Sequence, residues 1–236
     1  MCDLIVCCAI PKNEKESLKL DTTLHSIEYL KFNNKYILFD GAPDKASVEQ
    51  IEFYTSLKEE FVKKSHDFPV KVIEYKTNLY YKSMLEKFIR DNFDELNDNL
   101  FIIQDDVQLG KIDLDTVLKD KEENTDCKIL YFGENRPKAA HWFQEMKSND
   151  PRFVKTHGWS ERVYIITKKD LKDIFDFLKS FRRGGKNGKF IEYYYQNTMS
   201  RKSWKLMDTT SKLDYWAIWG CFEYKGVFHR HLVMKR

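Results

Sequence analysis

Three consecutive polar residues, Gln104, Asp105 and Asp106, interrupt an otherwise apolar run in "LFIIQDDVQL", residues 100–109. Two adjacent carboxylates at the end of a buried segment repel each other and are costly to desolvate. Such a pair is either a solvated turn or a grip for a cation. Magnesium or manganese, which prefer oxygen ligands, would suit Asp106. An ion held there would neutralise a diphosphate as its bond to the carried group breaks. A second set of candidate ligands lies in "VFHRHLVMKR", residues 227–236. If that segment is extended, His229 and His231 share one face, because strand side chains repeat every two residues. One imidazole would then complete a mixed carboxylate and histidine metal site. The alternative is a pair of partly exposed histidines on an edge strand. Two histidines are too few for a zinc site of their own.

Other polar residues fall where a ligand would be read. Asp40, in "ILFDGAP", is placed to accept hydrogen bonds from the base or ribose of a nucleoside, or simply to make an Asp-Gly turn. Asn78 and Lys82 are one helical turn apart, and Lys82 either reaches a phosphate or base or is solvated. The loop within "FRRGGKNGKF", residues 181–190, carries four cations and three glycines and is either a lid over a diphosphate or a solvated surface loop. The aromatic run "YWAIWGCFEYKG", with Trp142 and Trp159, offers apolar faces for sugar rings, although aromatics most often fill cores.

The elements that must position these residues alternate through the first half. Strands are expected at 4–10, 35–40, 70–75 and 100–104, and helices at 22–32, 47–64 and 78–93. Strands separated by helices imply right-handed crossovers and a mostly parallel sheet. Ligands of such sheets bind at the carboxyl ends of the strands. Pro11, Asp40 and the Asp105–Asp106 pair all fall at those ends. Beyond residue 110, strands are expected at 127–132 and 162–167, and helices at 168–181 and 189–199. The fold class is therefore α/β, a three-layer Rossmann-like α/β/α sandwich in a single domain spanning 1–236. Residues 1–109 and 110–236 read as two functional halves, which the family resemblance given below implies are a donor half and an acceptor half.

Composition removes several function classes. Lys plus Arg (40) nearly balances Asp plus Glu (37), so no global field draws nucleic acid or a membrane surface. The five cysteines contain no C-x-x-C pair, which argues against a disulfide framework or a cysteine zinc site and for a reducing, cytoplasmic setting. The apolar N-terminal run stops at Pro11, too short for a membrane span, and reads as a buried strand. Gly41 is the only glycine before residue 110, so a dinucleotide-binding Rossmann loop is missing, and "GGKNGK" lacks P-loop spacing. The same shortage counts against a sugar-1-phosphate nucleotidyltransferase, which stays as an alternative beside a non-catalytic nucleotide- or carbohydrate-binding module.

Taken together, "AIPKN", "FDG", an N-x-x-x-K helix and a fourth strand running into "QDDV" resemble the GT-A fold of nucleotide-sugar-dependent glycosyltransferases. "IIQDDVQL" is similar to their DxD signature in its E-D-D form, with Gln104 in place of the first acid. The resemblance implies metal contact by Asp106, nucleotide contact by Pro11, Asp40, Asn78, Lys82 and Asp105, and a third metal ligand at His229 or His231. It also implies a hexosyltransferase-type enzyme that uses manganese or magnesium. The donor would be a nucleotide-sugar, UDP-linked first, and the acceptor a glycan or glycoconjugate hydroxyl. "HGWSERVYIITKKDLKDI" is similar to the acceptor-side strand and helix of that family, and the compact length resembles bacterial or large-virus members. Inversion of configuration requires a carboxylate base, for which Glu192 and then Asp214 are the candidates. Retention requires none.

Overall fold

Strand β1 (Cys2–Cys8) is buried along its whole length, as a strand covered by helices on both faces must be. The computed structural model describes residues 1–9, 14–42, 45–64, 70–134, 145–146, 148, 150–156, 162–180 and 221–232. Around β1 stand β2 (Lys35–Phe39), β3 (Lys71–Glu74) and β4 (Asn99–Gln104), reached through helices α1 (Glu14–Ile27), α2 (Val48–Lys64) and α3 (Tyr80–Asn92). After β4 come β5 (Val107–Leu109), α4 (Leu114–Glu123), β6 (Ile129–Glu134), β7 (Glu145–Met146), β8 (Phe153–Thr156), β9 (Val163–Thr167), α5 (Lys168–Ser180) and β10 (Cys221–His231). One sheet in the order β3-β2-β1-β4-β9-β6-β10-β8-β7 contains them, with β5 attached to β10. The pairings make β1, β2, β3, β4, β6, β7 and β10 run one way and β5, β8 and β9 the other.

Alternation along the strands divides the core in two. Ile5, Cys7, Leu100, Ile102 and Tyr164 face Met84, Leu85 and Phe88 of α3 and Leu171 and Phe175 of α5. Leu4, Val6, Phe101, Ile103 and Leu130 face Leu20 and Ile27 of α1, Tyr54 of α2 and Val117 of α4. The result is the expected α/β three-layer sandwich with a mostly parallel central sheet.

Helix α1 differs from its expected span of 22–32. Its inward positions are Leu20, Thr23 and Ile27, and it ends where the Leu30 N–H bonds the Ile27 carbonyl at 3.0 Å. Leu30 packs in the same core from beyond the helix end, and so imitates one more turn of periodicity. Helix α4 was not anticipated; Asp113 caps it, accepting from Thr116 N at 3.3 Å. The helix expected at 189–199 lies outside the described residues. Among the described residues no helix is long and apolar enough to cross a membrane.

Candidate functional site at the strand ends

The register of the parallel strands brings the polar residues to one edge of the sheet. Cys7 lies opposite Gln104 and Cys8 opposite Phe39, so Asp105 follows level with Cys8 and Asp40 one residue further on, level with Ala9. Asp105 closes the end of β1: its N–H donates to the Cys7 carbonyl at 3.1 Å, and its Oδ2 accepts from Ala9 N at 3.0 Å. Burial pushes its carboxyl up to about 8, the neighbouring Asp106 charge adds to this, and the Ala9 N–H opposes it.

The acid turn is held from below by α1. Thr23, fully buried, donates from Oγ1 to the Asp105 carbonyl at 2.9 Å and accepts from Val107 N at 3.1 Å. Ser26 Oγ donates to the Thr23 carbonyl at 2.7 Å and accepts from Leu109 N at 3.2 Å. Tyr29, just past the helix, accepts from Ile112 N at 2.9 Å. Thr23, Ser26 and Tyr29 thus stitch residues 105–112 to α1. Sequence reasoning missed them; the signal was polar residues every third position beside the apolar stripe of a helix.

The other side of the turn is held by β10. His231 lies opposite Val107 and His229 opposite Leu109, and Leu232 N donates to the Asp106 carbonyl at 2.8 Å. The expected extended segment is therefore present, and it meets the acid pair. The edge-strand alternative fails for His229. Strand β10 pairs with β6 on one side and with β8 and β5 on the other, and His229 is 1% exposed. Its Nδ1 lies 2.8 Å from the Phe132 carbonyl. A carbonyl only accepts, so Nδ1 carries the proton and Nε2 of a neutral ring carries the lone pair. His231 is the nearer of the two to the acids by register, and its side chain lies outside the described residues. Among the described residues no group of three His, Cys, Asp or Glu side chains is close enough to hold a metal. The Asp106 carboxylate is a ligand of the oxygen type that manganese and magnesium prefer.

Asp40 is turned inward. It is 8% exposed, its Oδ1 accepts from Gly41 N at 2.9 Å and Leu79 N at 2.7 Å, and its Oδ2 accepts from Tyr80 N at 2.9 Å. Burial raises its carboxyl above the ordinary range and these three N–H groups pull it back. Asn78 Oδ1 also accepts from Tyr80 N, at 3.0 Å. Both residues therefore build the start of α3. Gly41 packs directly on the Thr77 backbone, where a Cβ would overlap it. Lys82 is ion-paired to Glu86 at 3.1 Å, and Glu86 to Arg90 at 3.0 Å, which in turn reaches Asp176 of α5. Pro11, Glu192, Asp214, the 182–189 loop, Trp142 and Trp159 lie outside the described residues.

No family model matches the sequence, and no curated protein matches it. Solved structures do share the fold. A mannosyltransferase from Pyrobaculum calidifontis, in complex with GDP-Man and Mn2+, aligns with a TM-score of 0.59 at 11% identity, over 99% of this chain and 57% of its own. GalNAc-T7 with UDP, GalNAc and Mn2+ aligns with a TM-score of 0.56 at 8% identity, over 97% of this chain and 43% of its own. TarS of S. aureus, residues 1–349, gives 0.54 at 11% identity, over 98% and 60%. The chain spans about half the length of these proteins, 43% to 60%. At such identities the likeness is one of fold: the chain shares the α/β fold of these proteins.

Proposed function

We propose that the protein transfers a sugar from a nucleoside diphosphate donor, UDP-linked first, to a hydroxyl of a glycan or glycoconjugate. The observation that carries this reading is the pairing of β5 with β10. It brings a strand bearing His229 and His231 against the Asp105–Asp106 turn, at the sheet edge where α/β folds bind ligands. Two of the solved structures that share the fold contain a nucleotide or nucleotide-sugar together with Mn2+, which supports ligands of the same chemistry here.

In this reading Asp106 and His231 hold the divalent cation, and the register favours His231 over the deeper His229. A cation so held supplies charge neutralisation for the departing diphosphate. Asp105 and Thr23 keep the turn in one conformation, so that Asp106 is presented without reorganisation. Pro11, Lys82 and the amide nitrogen of Asn78, whose oxygen already accepts from Tyr80 N, are the further nucleotide contacts in this reading. Glu192, then Asp214, is the base that deprotonates the acceptor if configuration inverts.

The test is a thermal-shift panel of nucleotides and UDP-, GDP- and TDP-sugars, with and without manganese. The expected result is a stabilisation that needs manganese and is erased in Asp106→Ala. A shift of equal size in Asp106→Ala overturns the assignment of the site. Binding that ignores manganese favours a non-catalytic module instead, and pyrophosphate release from a nucleoside triphosphate favours a nucleotidyltransferase.

A further inference from the structure

We infer that the ring of Tyr80 is the platform on which the nucleobase of the bound nucleotide stacks, an inference that rests on the donor reading above. Tyr80 is the only non-glycine residue with positive φ among those described, at 59°. That conformation is strained for a residue with a bulky side chain, and such strain persists only where the surroundings over-determine it. The surroundings here do so. The Tyr80 N–H is shared by Asp40 Oδ2 at 2.9 Å and Asn78 Oδ1 at 3.0 Å, and the preceding N–H of Leu79 bonds Asp40 Oδ1 at 2.7 Å. Glycine would fit the same backbone without strain, yet the position carries an aromatic ring.

That ring is not spent on the core. Tyr80 is 41% exposed, while Met84, Leu85, Phe88 and Ile89 of the same helix are buried. It stands beside Asp40, at the end of β2. Strands β2, β1 and β4 are neighbours, and Asp40 follows level with Ala9 and Asp105 level with Cys8, so the two acids stand two strands apart and one residue out of level. Two strand spacings are about 10 Å, comparable with the reach of a nucleotide from its base to its diphosphate. With the diphosphate at Asp106, the base falls at Tyr80. The Asp40 carboxylate is committed to backbone N–H groups, so this end of the crevice offers a flat ring rather than an acceptor for reading base edges. Stacking of this kind accepts any base.

Isothermal titration of UDP and GDP in the presence of manganese tests the inference on wild type, Tyr80→Phe and Tyr80→Leu. Tyr80→Phe is expected to bind within about twofold of wild type, since it keeps the ring. Tyr80→Leu should bind roughly 5- to 150-fold more weakly, the range covered by loss of one base–aromatic stack, and by a similar factor for both nucleotides. Equal affinity in Tyr80→Leu and wild type overturns the platform while leaving the donor reading intact. A wild-type protein that binds neither nucleotide overturns the donor reading, and the platform with it. Tyr80→Gly adds a readout independent of ligand. It removes ring and strain together, so its melting temperature should equal or exceed that of wild type. A clear fall would mean that the ring is structural packing and would overturn the inference.

Discussion

Replacing Asp105 by asparagine should stabilise the protein by an amount that grows with pH. In the folded chain burial, reinforced by the adjacent Asp106 charge, pushes the Asp105 carboxyl up to about 8. In the unfolded chain the same group titrates near its ordinary value of about 3.9. Between those values the folded protein keeps a proton that the unfolded chain has released. Stability therefore falls as pH rises through this window, and the loss is complete once pH exceeds the folded value. One unit corresponds to about 1.4 kcal/mol, so a difference of about four units costs the wild type on the order of 5 kcal/mol between acid and mildly alkaline pH. Asparagine retains an oxygen to accept the Ala9 N–H and has no proton to lose. In urea unfolding followed from about pH 5 to pH 9, the stability of the variant minus that of wild type should widen by about 1.4 kcal/mol per unit and level off near the top of the range. Manganese should narrow the gap at the alkaline end, because a nearby cation favours the ionised carboxylate. A gap independent of pH, or one that shrinks as pH rises without metal, would refute the account of Asp105 as a carboxyl penalised by burial.

Thr23→Val keeps the shape of the side chain and loses both bonds to the acid turn, leaving the buried Val107 N–H without its acceptor; it should cost about 2–3 kcal/mol in urea unfolding, while Thr23→Ser stays near wild type. Gly41→Ala drives a methyl group into the Thr77 backbone and should cost about 1–3 kcal/mol, with faster hydrogen exchange of the Leu79 and Tyr80 amides. Asp3 is buried at the opposite end of β1, where Oδ1 accepts from Asn34 N, Asn34 Nδ2 and Asn97 Nδ2 and Oδ2 from Asn97 N. Asp3→Ala should cost about 3 kcal/mol in the same assay, yet leave nucleotide affinity unchanged; altered affinity would show that the two ends of the sheet are coupled.

What was legible in the residues was periodicity. Runs such as "LIVCC" and "LFIIQ" are apolar without alternation because both faces of β1 and β4 are covered, and that alone indicates a helix-sandwiched parallel sheet. The polar residues that end those runs then gather at the carboxyl ends of the neighbouring strands. What was not legible is the destination of each hydrogen bond. Asp40 and Asn78 are of the types that read a nucleoside, and nothing local to them says that Leu79 and Tyr80 amides occupy them first. Thr23 looks like an ordinary helix residue until β5 is folded over it. His229 is called exposed or buried only by knowing that "CFEYKGVFHRH" is one strand with neighbours on both sides, a fact held by residues some of which are more than a hundred positions away. Long-range pairing is the information that composition and spacing do not carry.

The insertion of β10 between β6 and the β8 and β5 strands has a consequence for how the molecule is made. Residues 105–107 leave the ribosome more than a hundred residues before residues 229–232, which complete their hydrogen bonding. Until then the edges of β5 and β6 stand open, and open edges recruit other strands. The residues read as a donor half thus depend for their finished shape on residues translated more than a hundred positions later. Fragments ending before residue 221 should be sticky, incompletely folded chains rather than working nucleotide binders.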